Sequence, residues 1–220
     1  MTKQIAIIDP YVKSPAIPCF NRIVDLLNLP CTYHTPSQSG LESLLRVKDS
    51  TCSYIVLGSA SHIHEQLPWH RPLAEFLVQE LQLYKPVLGC CFGHQLLCHI
   101  FGAEVKYFSD SEQKITGVRK IVVTDKIGFI NPGEELNLGV THKQVVRNLP
   151  AELVCIGQGL PNDIVVHKSL PFMGTQAHPE SSRHFCQTDI QNLSLDEIDL
   201  IQRDGARLIK AFFNHFEIIE

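Results

Sequence analysis

Between residues 85 and 102 the chain can only change direction sharply. Lys85-Pro86-Val87-Leu88 reads as a short buried strand, and Leu96, Leu97, Ile100 and Phe101 recur at helical spacing up to Gly102. Between them stands Gly89-Cys90-Cys91-Phe92-Gly93-His94-Gln95, a strand-to-helix turn with a glycine two residues before and two residues after Cys91. A turn this tight needs small neighbours, and it aims its apex residue at the N-terminus of the following helix. There the helix dipole and free N–H groups favour a thiolate, the reactive form of cysteine.

The rest of the chain repeats the same strand-then-helix rhythm. Residues 4–8, 31–35 and 54–57 read as strands, and 17–29, 41–47 and 67–83 carry helical spacing. This alternation predicts an α/β fold, a doubly wound and mostly parallel sheet flanked by helices. From 103 to 156 the pattern shifts to shorter strands, with Asp125, Gly128, Asn131, Pro132 and Gly133 as punctuation, and a small antiparallel excursion is expected there. A last helix is expected over about 195–216, with Asp196 and Glu197 near its N-terminus. No repeat, linker or low-complexity stretch interrupts the pattern. Residues 1–220 are expected to form a single domain.

Composition excludes several classes of function. The 44% hydrophobic and 19% charged content, with a formal net charge of −4, leaves no polybasic tract for nucleic acid or an anionic membrane. No apolar stretch is long enough to span a bilayer. The eight cysteines are not preceded by a secretory segment, because Met1-Thr2-Lys3-Gln4-Ile5 runs directly into a strand pattern. A reducing, cytoplasmic setting is therefore expected. Neither Cys-x-x-Cys nor His-Glu-x-x-His spacing occurs, so no metal site is expected.

A second motif lies far along the chain. Met173-Gly174-Thr175-Gln176-Ala177-His178-Pro179-Glu180 follows the apolar stretch 163–167 and places a histidine two residues before a carboxylate. Pro179 biases His178 toward an extended backbone, which would project positions 178 and 180 to one side. Cys91 as nucleophile, His178 as base and Glu180 as the group that orients the imidazole would then form one constellation. Each residue alone has a plainer reading, since most buried thiols are inert. Cys90 is the rival nucleophile, and Cys98 reads as a core residue. His62, His64 and His70 suit a polar loop and helix start, and Trp69 reads as a packing anchor.

Both motifs resemble those of the class I glutamine amidotransferases, Gly-x-Cys-x-Gly-His-Gln and His-Pro-Glu, complete and in the family's order. The resemblance covers residues 5 to about 180. It implies a flavodoxin-like domain that cleaves the γ-amide of glutamine or a γ-glutamyl compound through a Cys91 thioester, with no metal or organic cofactor. It implies an oxyanion hole from the backbone at Phe92 and Gly58, and substrate contacts from Gln95 and from Thr141, His142, Lys143 and Gln144. His94, also in the motif, is expected to be structural.

The sequence departs from the family at Ser59-Ala60, where glycine and proline are frequent, and at Lys143-Gln144. Gly58-Ser59 and Pro68-Trp69 resemble a subgroup that includes plant γ-glutamyl peptidases and the amidotransferase half of GMP synthetase. The departures point to a free-standing enzyme that prefers a γ-glutamyl compound to free glutamine. The alternatives are a glutaminase subunit that donates ammonia to a separate synthase, and a non-catalytic binding protein on the same fold.

Overall fold

In the computed structural model, which describes residues 4–190 and 192–219, the apolar runs lie side by side at the centre of one sheet. The elements follow in chain order as β1 (Gln4–Ile8), α1 (Ile17–Leu27), β2 (Cys31–His34), α2 (Pro36–Ser39), α3 (Glu42–Val47), β3 (Thr51–Val56), α4 (His70–Gln82), β4 (Val87–Cys90) and α5 (Phe92–Ile100). Six strands come next: β5 (Glu104–Tyr107), β6 (Ile115–Val123), β7 (Glu135–His142), β8 (Gln144–Arg147), β9 (Leu153–Gln158) and β10 (Ile164–His167). The last elements are β11 (Phe172–Thr175), α6 (Arg183–Thr188) and α7 (Leu195–His215).

The sheet order is β2-β1-β3-β4-β11-β10-β9-β6-β7. The first five strands in that order are mutually parallel, and β11-β10-β9-β6-β7 are antiparallel neighbours. The predicted doubly wound sheet is thus present, but its antiparallel part is larger than the excursion expected over 103–156: it begins there with β6 and runs on through β9 and β10 to residue 167, because β10 must pair with both β9 and β11. It extends the same sheet through β10, while β5 and β8 pair separately. The sheet also curls: β7 is last in the order, yet the carbonyl of Gly139 on it accepts from the N–H of His178, just past β11, at 2.8 Å.

Period-two alternation explains the two layers. Ile5, Ile7, Ile55 and Leu88 pack on one face against Ile23 and Leu27 of α1 and Leu208, Ile209 and Phe212 of α7. Ala6, Ile8, Tyr54, Val56 and Val87 pack on the other, against Leu44, Leu73, Leu77, Leu96 and Leu97 of α3, α4 and α5. Strands covered on both faces must be apolar along the covered stretch, as 5–8 and 54–57 are.

Helix ends follow local chemistry. α1 stops at Leu27, two residues before its expected end, because Asn28 takes the left-handed conformation (φ 51°) and its N–H returns to the Val24 carbonyl. α4 begins at His70, not 67, after the Leu67-Pro68-Trp69 turn. α7 starts with a reciprocal cap in which Ser194 accepts from the Glu197 N–H and Glu197 accepts from the Ser194 N–H. No helix among the described residues is long and apolar enough to cross a membrane.

Candidate active site

Parallel strands deliver their C-terminal loops to one edge of the sheet, and β4 lies between β3 and β11. Gly89 pairs with Val56 on one side and Gly174 on the other. The segments after β3, β4 and β11 therefore converge, beside the point where the order reverses between β1 and β3, the usual ligand crevice of such sheets.

Cys91 sits at the apex after β4 with φ 47° and ψ −95°, a conformation that costs a non-glycine residue about 1–3 kcal/mol. The surroundings hold it there. Its N–H donates to the Thr175 carbonyl at 2.8 Å, extending the β4–β11 ladder, and its carbonyl accepts from Gln95 N–H at 3.0 Å. A Cβ on Gly89 would meet the Gly93 carbonyl carbon at 2.7 Å, and one on Gly93 would meet the Val56 carbonyl oxygen at 2.6 Å. The two glycines of the motif let β4, α5 and β3 approach this closely. Phe92 opens α5, where its N–H has no intrahelical acceptor.

Adjacent cysteines differ because the strand alternates. Cys90 points into the core against α1 and α7. Burial and the Glu180 carboxylate push its thiol well above the ordinary value. Cys98 packs on the α4 and α5 side, its sulfur 3.5 Å from His94 Nδ1, and burial raises it too. His94 is fully buried, and burial brings its pKa down to about 3.

His178 and Glu180 meet, though not through an extended segment. The His178 carbonyl accepts from Ser181 N–H at 3.1 Å, so residues 178–181 form a turn with Pro179 at its favoured second position. That turn brings His178 Nδ1 to 2.8 Å from Glu180 Oε1, both residues buried. Arg22 of α1 fastens it, donating to the Pro179 carbonyl at 2.7 Å and to the carbonyl and side chain of Gln202 on α7.

Burial alone would lower the pKa of His178. Its electrostatic interactions and hydrogen bonds with Cys91 and Glu180 outweigh it and push the imidazole up to about 10. With Nδ1 on the carboxylate, Nε2 is the ring nitrogen left without a hydrogen-bond partner. Gly58 completes the packing: a Cβ there would lie 2.6 Å from His178 Cε1 and 3.7 Å from Cys91 Cβ, so only glycine leaves room for the ring beside the cysteine. The loop after Gly58 lacks the family's glycines and is tied down by hydroxyls, with Ser59 Oγ donating to the Pro10 carbonyl at 2.7 Å and lying 3.0 Å from Ser61 Oγ.

A cluster of buried polar groups adjoins Cys91. Gln95 Nε2 donates to the Gln144 carbonyl at 2.9 Å, and His142 Nδ1 lies 2.9 Å from that same carbonyl. Burial, with the nearby Arg119 charge, brings His142 down to about 3, so its imidazole is neutral, Nδ1 donates and Nε2 is a bare acceptor. His142 Nε2 and both amide atoms of Gln144 are buried without a partner, an arrangement that costs about 1–3 kcal/mol per group unless a ligand satisfies it. Thr141 and Lys143 alternate to the other side of the strand. Thr141 Oγ1 donates to the Asp189 carbonyl at 3.0 Å, and Lys143 is exposed.

Sequence reasoning passed over Gln176, whose Nε2 lies 3.6 Å from Cys91 Sγ. Its place between Thr175 and His178 was the available signal. A cavity of about 740 Å³ lies at the opposite ends of these strands, against Thr51, Pro86 and Phe172, and shares no residue with this cluster.

Known proteins resemble this chain in sequence and in fold. The chain is 29% identical over 140 residues to anthranilate synthase component 2 of Methanocaldococcus jannaschii, covering 62% of this chain and 64% of that protein. It is 33% identical over 97 residues to a glutamine-hydrolyzing GMP synthase component of the same organism, covering 43% and 50%. The matches thus span about half to two thirds of these relatives' length. The crystal structure of a glutamine amidotransferase from Thermotoga maritima superposes with a TM-score of 0.72 at 17% identity, over 98% of this chain and 97% of that one, which shows a common fold. The model of the family described as glutamine amidotransferase class-I matches residues 65–195, more than half of the chain and inclusive of both motifs. The chain belongs to the class I glutamine amidotransferase family.

Proposed function

We propose that this protein hydrolyses the γ-amide of glutamine or the equivalent C–N bond of a γ-glutamyl compound, with Cys91, His178 and Glu180 as its catalytic residues. The observation that carries the reading is a strained cysteine at a helix N-terminus beside a buried imidazole whose other nitrogen lies 2.8 Å from a buried carboxylate. Cys91 Sγ attacks the amide carbon, and the carbonyl electrons move to oxygen, where the N–H groups of Phe92 and Gly58 receive the charge. His178 gives its proton to the departing nitrogen as the C–N bond breaks, leaving a thioester. It then takes a proton from water, which attacks the thioester and releases glutamate and the free thiol. Glu180 holds the imidazole and its positive charge throughout.

The amino-acid end of the substrate is read by Gln95, His142 and Gln144. A neutral imidazole with a bare Nε2 suits an α-ammonium donor, and the unpartnered Gln144 amide offers a donor and an acceptor to an ammonium and carboxylate pair. Thr141 and Lys143 contribute through their backbone.

Whether the ammonia is passed on distinguishes two forms of this reading. The altered Ser59-Ala60 and Lys143-Gln144 positions favour a free-standing hydrolase of γ-glutamyl compounds. The relatives named as synthase components favour a subunit that serves a separate synthase. The deciding measurement is kcat/KM of the purified chain on glutamine and on a panel of γ-glutamyl amines and peptides. A preference for the panel is expected. A preference for glutamine, or activity that appears only once a synthase partner is supplied, would establish the subunit form. A glutamine-like diazo-ketone that labels no residue of the folded chain would favour a binding protein.

Gly58→Ala tests the packing of the site. The added methyl group displaces the His178 ring, and a misplacement of about 1 Å can cost about a hundredfold. A loss of that order in kcat/KM with little change in Tm is expected. Unchanged kcat/KM would show that the ring does not depend on the gap at Gly58.

A further inference from the structure

Two side-chain amides beside Cys91 are linked so that each fixes the orientation of the next. Gln95 Nε2 donates to the Gln144 backbone carbonyl at 2.9 Å, and a carbonyl can only accept. Gln95 must therefore turn its NH₂ to that side, and the same nitrogen lies 3.2 Å from Gln176 Oε1. With its oxygen held there, Gln176 presents its own NH₂ to Cys91 Sγ, at 3.6 Å. Flipping the Gln176 amide would set NH₂ against NH₂ at Gln95 and oxygen against sulfur at Cys91. One backbone acceptor thus sets the polarity of the whole chain of bonds.

Both glutamines are buried, so neither amide can exchange these partners for bulk water. The backbone is equally constrained. Gln176 N–H donates to the Asp163 carbonyl at 2.9 Å, and the preceding Thr175 carbonyl accepts from Cys91 N–H.

We propose that Gln176 is a further residue of the catalytic centre, donating a hydrogen bond to the Cys91 sulfur that stabilises its thiolate, with Gln95 and the Gln144 carbonyl as positioning groups. The proposal rests on Cys91 being the nucleophile. His178 and Cys90 are the titratable groups that share the charge of this thiolate. An amide exchanges no proton in the working pH range, so Gln176 lowers the energy of the anion without competing with His178 for the proton. A hydrogen bond to an ionised acceptor is about twice as strong as a neutral one, so the effect is greatest in the thiolate state.

The test is the rate of iodoacetamide alkylation at Cys91, mapped by peptide mass spectrometry on the intact chain at pH 6 and pH 9. Gln176→Met keeps the length and removes the donor, and Gln176→Glu also sets a negative charge against the sulfur. In both, the ratio of the pH 6 rate to the pH 9 rate is expected to fall about tenfold, as loss of a bond to a charged group requires. Gln95→Met, which frees the Gln176 amide to turn, should shift the ratio the same way by less. A lower Tm with an unchanged ratio would make Gln176 a packing residue and overturn the proposal. Wild-type Cys91 alkylated at pH 6 no faster than Cys98 would remove the nucleophile reading itself, and this proposal with it.

Discussion

On the proposed mechanism, Cys91→Ser is expected to lose about a millionfold in kcat for γ-glutamyl hydrolysis while keeping the wild-type far-ultraviolet circular dichroism, because loss of the nucleophile from a triad costs about that much. Cys90→Ala and Cys98→Ala keep most of the activity. Their sulfurs are fully buried on opposite faces of the sheet, and truncating either removes packing worth about 1 kcal/mol. The contrast does not depend on chemical similarity, since all three side chains are thiols. It depends on backbone geometry: the positive φ at Cys91 lifts that side chain out of both cores. Measuring glutamate release and Tm for all three variants checks it. Activity that survives in Cys91→Ser and disappears in Cys90→Ala would put the nucleophile one residue earlier.

His178→Ala is expected to be as severe as loss of the thiol, and Glu180→Gln roughly a hundredfold milder, since the carboxylate orients and stabilises the imidazole without exchanging a proton with the substrate. The pH profile separates the two roles of Glu180. Its charge is one of the causes that raise the His178 pKa to about 10, and this keeps the imidazolium protonated well above the usual histidine range. The alkaline limb of kcat/KM should therefore fall near pH 10 in the wild type. In Glu180→Gln, with that charge gone, the limb moves to lower pH, while an amide oxygen can still accept from Nδ1. Near-wild-type glutamate release in both variants would remove His178 and Glu180 from the mechanism. An unmoved alkaline limb in Glu180→Gln would restrict Glu180 to orientation.

The placement of His178 beside Glu180 shows how a correct pairing can follow from an incorrect local geometry. An extended backbone before Pro179 would have put the two side chains on one side. The chain instead turns at Pro179, held by Ser181 and by Arg22 from α1, and the turn brings the side chains together. The bias that proline imposes on its predecessor stops at that residue; Pro179 itself opens a turn that Ser181 closes locally and that Arg22, 157 positions away, fastens. The end of α1 at Asn28 and the late start of α4 at His70 are smaller differences of the same kind, set by a left-handed cap and a turn.

The elbow at Cys91, the two-layer burial of the strands and the long last helix could be read from the sequence alone, because each is written in residues close together along the chain. Glycines two positions either side of Cys91, apolar runs of four residues and the acidic Asp196 and Glu197 at the start of the last helix are local chemistry with a single economical geometry. The spatial relations among these pieces were decided by tertiary structure. That β11 lies beside β4, that β7 curls back to bond His178, and that Gln95, Gln144 and Gln176 share one chain of hydrogen bonds ending on Cys91 depend on strand order and register. Contacts between residues 49 to 85 positions apart leave no periodic mark in the sequence. They arise only when the apolar faces have been buried and the polar groups among them must find partners.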